Sequence, residues 1–437
     1  MKTAAPTSDP TSNSPTTSRI RTTLRAFQHR NYRLYFFGQA ISITGTWMQS
    51  IALNWLLYKL TDSVFMLGLV GFVLYAPNFF FAPIAGVFAD RTSRFKMFFT
   101  AQVLAMLQAL TMAVLVLTDT VQVWHIVTLA GVLGVINSFD FPSRQSMVVL
   151  LVENKNDLSN AIALNSSMVN LARVLGPSLA GILIALIGEG WCFLLNGVSY
   201  IAVLGCLMAM RLRPQEATKS VGNIWGGFRE GVRYAFNSPS IRPILILLAF
   251  VSVIGMPYAA LMPVYARDIL LGDSRTLGFL MGATGLGAIT AAIYLASRQR
   301  VLGLEKMLAI AATGMGSGLI AISFIRDFWV AVPFMYLIGI GMISQIACTN
   351  TILQTLVDED KRGRVISLYV AAFVGMLPFG NLITGTLASA IGAPHTMLVT
   401  GILCVVASIV FATRLSQWRS FAYPIFIERE KAALNKT

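Results

Sequence analysis

The sequence predicts an all-α integral membrane protein with twelve transmembrane helices in two pseudo-symmetric six-helix bundles. Three observations carry that expectation. Of 437 residues, 56% are hydrophobic and only 12% charged, whereas a soluble domain carries about 25% charged residues. The apolar residues collect into twelve stretches, near 34–58, 63–89, 97–118, 120–139, 158–188, 190–210, 243–266, 276–297, 307–325, 328–357, 365–391 and 396–413. Each can cross the roughly 30 Å hydrocarbon layer as a helix, for which about 20 residues suffice. The basic residues, finally, fall on one side of those stretches.

Residues 1–18 are rich in Ser, Thr, Pro and Asn and lack an apolar core, which reads as a disordered tail rather than a signal peptide. The segment from Arg19 to Arg33 is basic, with Leu24, Phe27 and Tyr32 interleaved, and suits the membrane surface. The eleventh and twelfth stretches form one uncharged run from Val365 to Thr413, divided by the turn signal at Gly392, Ala393, Pro394 and His395. With both termini cytoplasmic, 28 of the 33 Lys and Arg lie on the cytoplasmic side. Four lie outside (Lys59, Arg267, Arg275 and Arg326), and Arg173 is inside a span. That bias sets the orientation. It also accounts for the net charge of +14 without nucleic acid.

The organisation expected is a tail and interfacial arm at 1–33, a first bundle at 34–210, a cytoplasmic linker at 211–242, a second bundle at 243–413 and a basic cytoplasmic tail at 414–437. The linker holds an amphipathic segment from Ile224 to Tyr234. Two internal echoes support the halves. The stretch from Leu53 to Tyr58, continued by Asp62 to Gly68, parallels Leu261 to Tyr265, continued by Asp273 to Gly278. Arg144, Gln145, Leu151, Val152 and Glu153 parallel Thr351, Leu356, Val357 and Asp358. Paired repeats around a central cavity suit alternating access.

Between the second and third stretches stand Gly86, Asp90, Arg91, Arg94 and Lys96. The spacing resembles motif A of the major facilitator superfamily, with Ser93 where a glycine is common and Phe95 at a usually basic position. Asp140, Pro142, Arg144 and Gln145, then Asn170, Arg173, Gly176, Pro177 and Gly181, resemble the first half of the branch that includes the bacterial enterobactin exporter. Arg362, Gly363, Arg364 and Val365, then Pro378 and Gly380, resemble its second half. The resemblance implies a proton-linked exporter of a small amphiphilic molecule, such as a siderophore or drug, acting as a monomer in the inner membrane. A lysolipid flippase, an importer and a non-transporting sensor or scaffold stay open as alternatives.

Within that frame, Gly86, Asp90, Arg91, Arg94, Lys96 and Arg144 form a conformational latch at the cytoplasmic face. Asp140 and Arg144, four residues apart on one helical face, can pair, and Arg144 is expected to reach Asp90 near Arg364. Arg173 lies about 15 residues into its span, roughly 20 Å deep. A cation there faces a cavity or a partner, and it is assigned to the substrate or proton pathway with Asp140, Gln49, Asn54, Asn137, Gln345 and Asn381. Gly176, Pro177 and Gly181 resemble the antiporters' motif C, and small residues at that spacing pack helices closely. The four cysteines lie inside apolar runs without metal-ligand spacing. No phosphate-binding loop and no nucleophile–base constellation occurs. Neither a cofactor nor a metal nor enzymatic activity is expected.

Overall fold

The computed structural model describes residues 25–434 except 92, 153, 155–156, 211–223, 299–300 and 360, and side chains except those of 82–91, 224–228 and 430–434. The expected tail, the first part of the arm, the loop at 211–223 and the side chains of Asp90 and Arg91 beside Gly86 therefore lie outside the described residues. A 3₁₀ turn, Arg25–Gln28, leads into α1 (Arg30–Thr61). The first bundle continues with α2 (Val64–Arg91), α3 (Arg94–Leu117), α4 (Val123–Leu151), α5 (Leu158–Ile187) and α6 (Glu189–Met208). A connecting helix, α7 (Ile224–Asn237), precedes the second bundle. That bundle comprises α8 (Arg242–Ile269), α9 (Ser274–Ser297), α10 (Leu304–Phe324), α11 (Phe328–Leu356), α12 (Arg362–Ile391) and α13 (Ala393–Thr413). The last helix is α14 (Leu415–Leu434).

Eleven of these helices are long and apolar enough to cross a membrane. In lipid a backbone must satisfy its own N–H and C=O groups, so helices are the form such runs take. The twelfth, α1, is less apolar because Gln39, Ser42 and Gln49 interrupt it, and all three are buried. No strand occurs among the described residues. The start of α1 and the helix α14 lie at one pole of the bundles, called here the near end. At the far end, Gly188 between α5 and α6 and Gly392 between α12 and α13 take φ of 92° and 84°, so the turn expected near 392 occurs at equivalent places in the two halves.

Two spans are broken at mid-depth. In α8 the N–H groups of Gly255 and Met256 share the carbonyl of Val251 at 2.8 and 3.0 Å, and in α12 those of Val374 and Gly375 share Val370 at 2.8 and 3.3 Å. Pro257 and Pro378 follow the breaks. Proline lacks an N–H and pre-sets φ, so it starts the second half-helix where it could not continue the first.

At the near end, α7 lies against the start of α12, with Glu230 paired to Arg364 and Lys361 over the Tyr234 ring at 4.8 Å. The segment expected at 414–437 as a basic cytoplasmic tail holds a docked helix, α14. Glu305, fully buried at the start of α10, accepts two hydrogen bonds from Arg419 (3.1 and 2.9 Å) and one from Tyr423 (2.9 Å). Trp418 donates to the Ser240 carbonyl at 2.8 Å, and Arg429 reaches Val357 and Asp358. Two of the five cations in this segment, Arg419 and Arg429, are held by specific carboxylates. Burial and the Glu305 carboxylate together hold the Tyr423 phenol above its ordinary range. Its folded value exceeds the unfolded one, so the contribution is present below about pH 10 and lost as pH rises through the folded value. Tyr423→Phe is expected to flatten that alkaline loss of α14 docking, as followed by limited proteolysis.

Candidate functional site

The seam between the bundles is built from two glycine crossings. A Cβ on Gly68 in α2 would sit 2.6 Å from the Asn381 carbonyl oxygen and 2.7 Å from Gly385 Cα in α12. A Cβ on Gly278 in α9 would sit 2.6 Å from the Pro177 carbonyl oxygen and 2.9 Å from Gly181 Cα in α5. Only bare backbone admits helices this close. Pro177 and Gly181 therefore serve the seam, whereas Gly176 serves its own bundle: a Cβ there would meet Trp47 Cβ of α1 at 2.4 Å.

Polar ties seal the far end across the seam. Tyr58 at the end of α1 donates to Asp268 of α8, Arg267 bonds Asp62 at 2.6 Å, and Ser274 Oγ donates to the Gly181 carbonyl at 3.0 Å. A cleft of about 560 Å³ opens beside them, lined by Trp55, Lys59, Glu189, Arg267 and Arg275 among others. Lys59 pairs with Glu189 there at 3.1 Å. The exposed Arg267–Asp62 pair contributes about 0–1 kcal/mol, so the glycine crossings carry the closure and the ties set its register.

At mid-depth, near the break in α8 that Tyr258 follows, lies Arg173. Its carbonyl faces Gly285 of α9 across the seam, where a Cβ would come within 2.9 Å. The guanidinium lies over the Trp47 ring, 5.4 Å from its centroid. Its Nε and Nη1 are shielded from solvent and have no hydrogen-bond partner among the described residues. Its electrostatic neighbours are the phenols of Tyr75 and Tyr258 rather than a carboxylate. Phe79 of α2 and Phe379 of α12 close the opposite side of the seam edge-on at 5.6 Å.

Nearer the near end, Asp140 is buried and bonded. Gln102 of α3 donates to it at 2.6 Å, and Arg144 Nε stands 3.7 Å away, the i,i+4 pair the sequence anticipates. Arg364 is held by Glu230, and the ion pairs His29–Asp157, Arg419–Glu305 and Arg429–Asp358 likewise each stay within one bundle and its attached helices. Arg94 and Lys96 make no ion pair among the described residues.

The polar residues expected on the pathway separate. Gln49 does not face the seam. It lies inside the first bundle, donating to Gln108 at 2.9 Å and accepting from Asn196 at 2.6 Å. Gln49→Leu would strand those two partners, at about 1–2 kcal/mol. The expected result is a lower unfolding temperature in detergent with unchanged substrate affinity. Asn381 is at the seam as packing: it donates to the Leu377 carbonyl at 2.9 Å and a Cβ on Gly71 would press against it. Gln345 is fully buried with both polar ends unpartnered, and Asn54 and Asn137 are half-buried. The residues missed by sequence reasoning are Trp47, Tyr75 and Tyr258 around Arg173, and Tyr58, Asp62 and Asp268 at the far end. Tyr58 and Asp62 do fall in the first repeat echo, the one signal that could have found them.

Twelve spanning helices in two bundles that cross at small residues around a half-buried arginine make up the fold. The chain belongs to the transmembrane secretion effector family, whose pattern it matches over residues 21–425. It is a transporter-family protein, not an enzyme. It is 26% identical over 385 residues to the staphyloferrin A transporter of Staphylococcus aureus (strain NCTC 8325 / PS 47), covering 86% of this chain and 94% of the relative. It is 23% identical over 396 residues to the multidrug efflux pump Tap of Mycolicibacterium fortuitum, covering 88% and 96%. A bacterial homologue of the human lysosomal transporter Spinster, solved in an inward-facing and occupied conformation, shares the fold with a TM-score of 0.69 at 13% identity, over 91% of this chain and 98% of that one.

Proposed function

We propose that the chain is a monomeric, proton-coupled exporter of a small amphiphilic molecule, working by alternating access in the inner membrane with both termini in the cytoplasm. The observation that carries the reading is Arg173, a cation at mid-depth on the seam whose Nε and Nη1 have no hydrogen-bond partner among the described residues, between bundles that are tied at the far end. The near end is then the cytoplasmic entrance, in keeping with the side that holds 28 of 33 basic residues. The far-end ties must open to release the molecule outside. The relatives named for staphyloferrin A transport and multidrug efflux support a secretory direction.

Asp140, with Gln102 and Arg144, is the carboxylate assigned to the proton pathway, and Asp90 with Gly86, Arg91, Arg94, Lys96 and Arg144 is the cytoplasmic latch for the outward-open state. The test uses proteoliposomes with an internal pH probe, an imposed pH gradient and a panel of siderophores, drugs and lysolipids. A compound-dependent proton flux is expected. Asp140→Asn should abolish the flux, and Asp90→Asn should cut transport, in both cases with the protein still in the membrane. Normal coupled flux in Asp140→Asn would remove the proton role from that residue, and compound movement without any proton flux would favour a facilitator or flippase.

A further inference from the structure

Arg173 poses an energetic problem that the chain does not itself solve. Placing an arginine at the centre of a spanning helix is costly, and the Trp47 contact offsets only part of that cost. Buried cations are otherwise offset by a carboxylate and by hydrogen bonds to each nitrogen. Here Nε and Nη1 bond nothing, and the charged-state neighbours are two phenols. The surroundings are specific as well as incomplete. Trp47 supplies a flat face under the guanidinium. Tyr75 and Tyr258 place phenols beside it, and Tyr258 opens the second half of α8 immediately after its break.

Resting on the reading of the seam as the transport path, we infer that the transported molecule carries a carboxylate that Arg173 binds at mid-depth, with its apolar part against Trp47 and the Phe79–Phe379 pair. A guanidinium matches a carboxylate in charge and in planar, two-point geometry. A phosphate, with a charge of about −1.5 to −2 near neutral pH, would call for a second cation, and the other electrostatic neighbours of Arg173 are tyrosines.

Iodide, a small anion, and acrylamide, a neutral quencher, report the site without knowledge of the substrate. The full-length protein in detergent is compared with its Trp47→Phe form at constant ionic strength, so that the difference isolates Trp47. The ratio of iodide to acrylamide quenching is expected to be high in the native protein. It should fall about tenfold in Arg173→Gln and be largely kept in Arg173→Lys, as expected of a single charge a few ångströms away in a low-dielectric site. Cyclohexanecarboxylate should protect Trp47 from iodide, and cyclohexanecarboxamide, the same shape without the charge, should not. Equal ratios in the native and Gln proteins would overturn the proposal. So would equal protection by acid and amide, a comparison made on the native protein and therefore independent of how the variants fold. If the contrast holds and proteoliposomes still move nothing, the carboxylate site stands and the transport reading fails.

Discussion

Gly278→Leu is expected to abolish transport by preventing far-end closure. Even one added carbon would stand 2.6 Å from the Pro177 carbonyl and 2.9 Å from Gly181 Cα, distances no real side chain keeps, and both obstacles are backbone. Overpacking of this kind costs about 1–3 kcal/mol when the structure must keep its shape. Under the alternating access proposed above, the chain has an alternative: it can separate the bundles. A shift of about 1.4 kcal/mol already changes the ratio of far-end-closed to far-end-open protein tenfold. Spin labels at the far ends of α5 and α9 would report it as a longer, broader distance distribution. Gly205→Leu is the control, since nothing lies within 4 Å of a Cβ there. A Gly278→Leu protein with native distances and native flux would show that the crossing does not hold the seam.

Arg419→Ala is expected to cause the largest loss of stability among surface-proximal substitutions, about 2–4 kcal/mol. Glu305 is fully buried and takes two of its hydrogen bonds from Arg419, so truncation leaves an anion with only Tyr423 and the Gly303 N–H as partners. Thermal unfolding of the purified protein measures the loss. Replacing both residues, Glu305→Leu with Arg419→Leu, should restore much of it, because the unmatched charge and not the missing pair is what destabilises. A double variant as unstable as the single one would count against that account.

The spans were legible because a bilayer imposes one rule, a long apolar run, and the turn at Gly392 showed through a run of nearly fifty uncharged residues because Gly and Pro punctuate helices in any solvent. The echo of Leu67–Gly68 in Leu277–Gly278 was also visible as a repeat, yet its purpose was not: the two glycines prove to be the residues that touch the opposite bundle, one at Gly385 and the other at Gly181. Gln49 shows the limit. A polar side chain in a span can turn to a cavity or to a neighbouring helix, and periodicity cannot tell the two apart when Gln108 and Asn196 are distant in sequence. The docked α14 was hidden for a related reason: Arg419 and Arg429 count equally toward an orientation bias whether they are solvated or bound to Glu305 and Asp358.

The clasp between α14 and α10 also bears on biogenesis. Glu305 enters the membrane interface with α10, long before Arg419 has been synthesised, and waits unpaired while α11, α12 and α13 insert. Docking of the last helix is thus a late folding step that becomes possible only when every span is in place. A chain that ends at Thr413, or a bulky fusion joined directly behind it, would hold the full set of spans and still display an unmatched carboxylate at the membrane face, a mark by which quality-control proteases could distinguish finished from unfinished molecules.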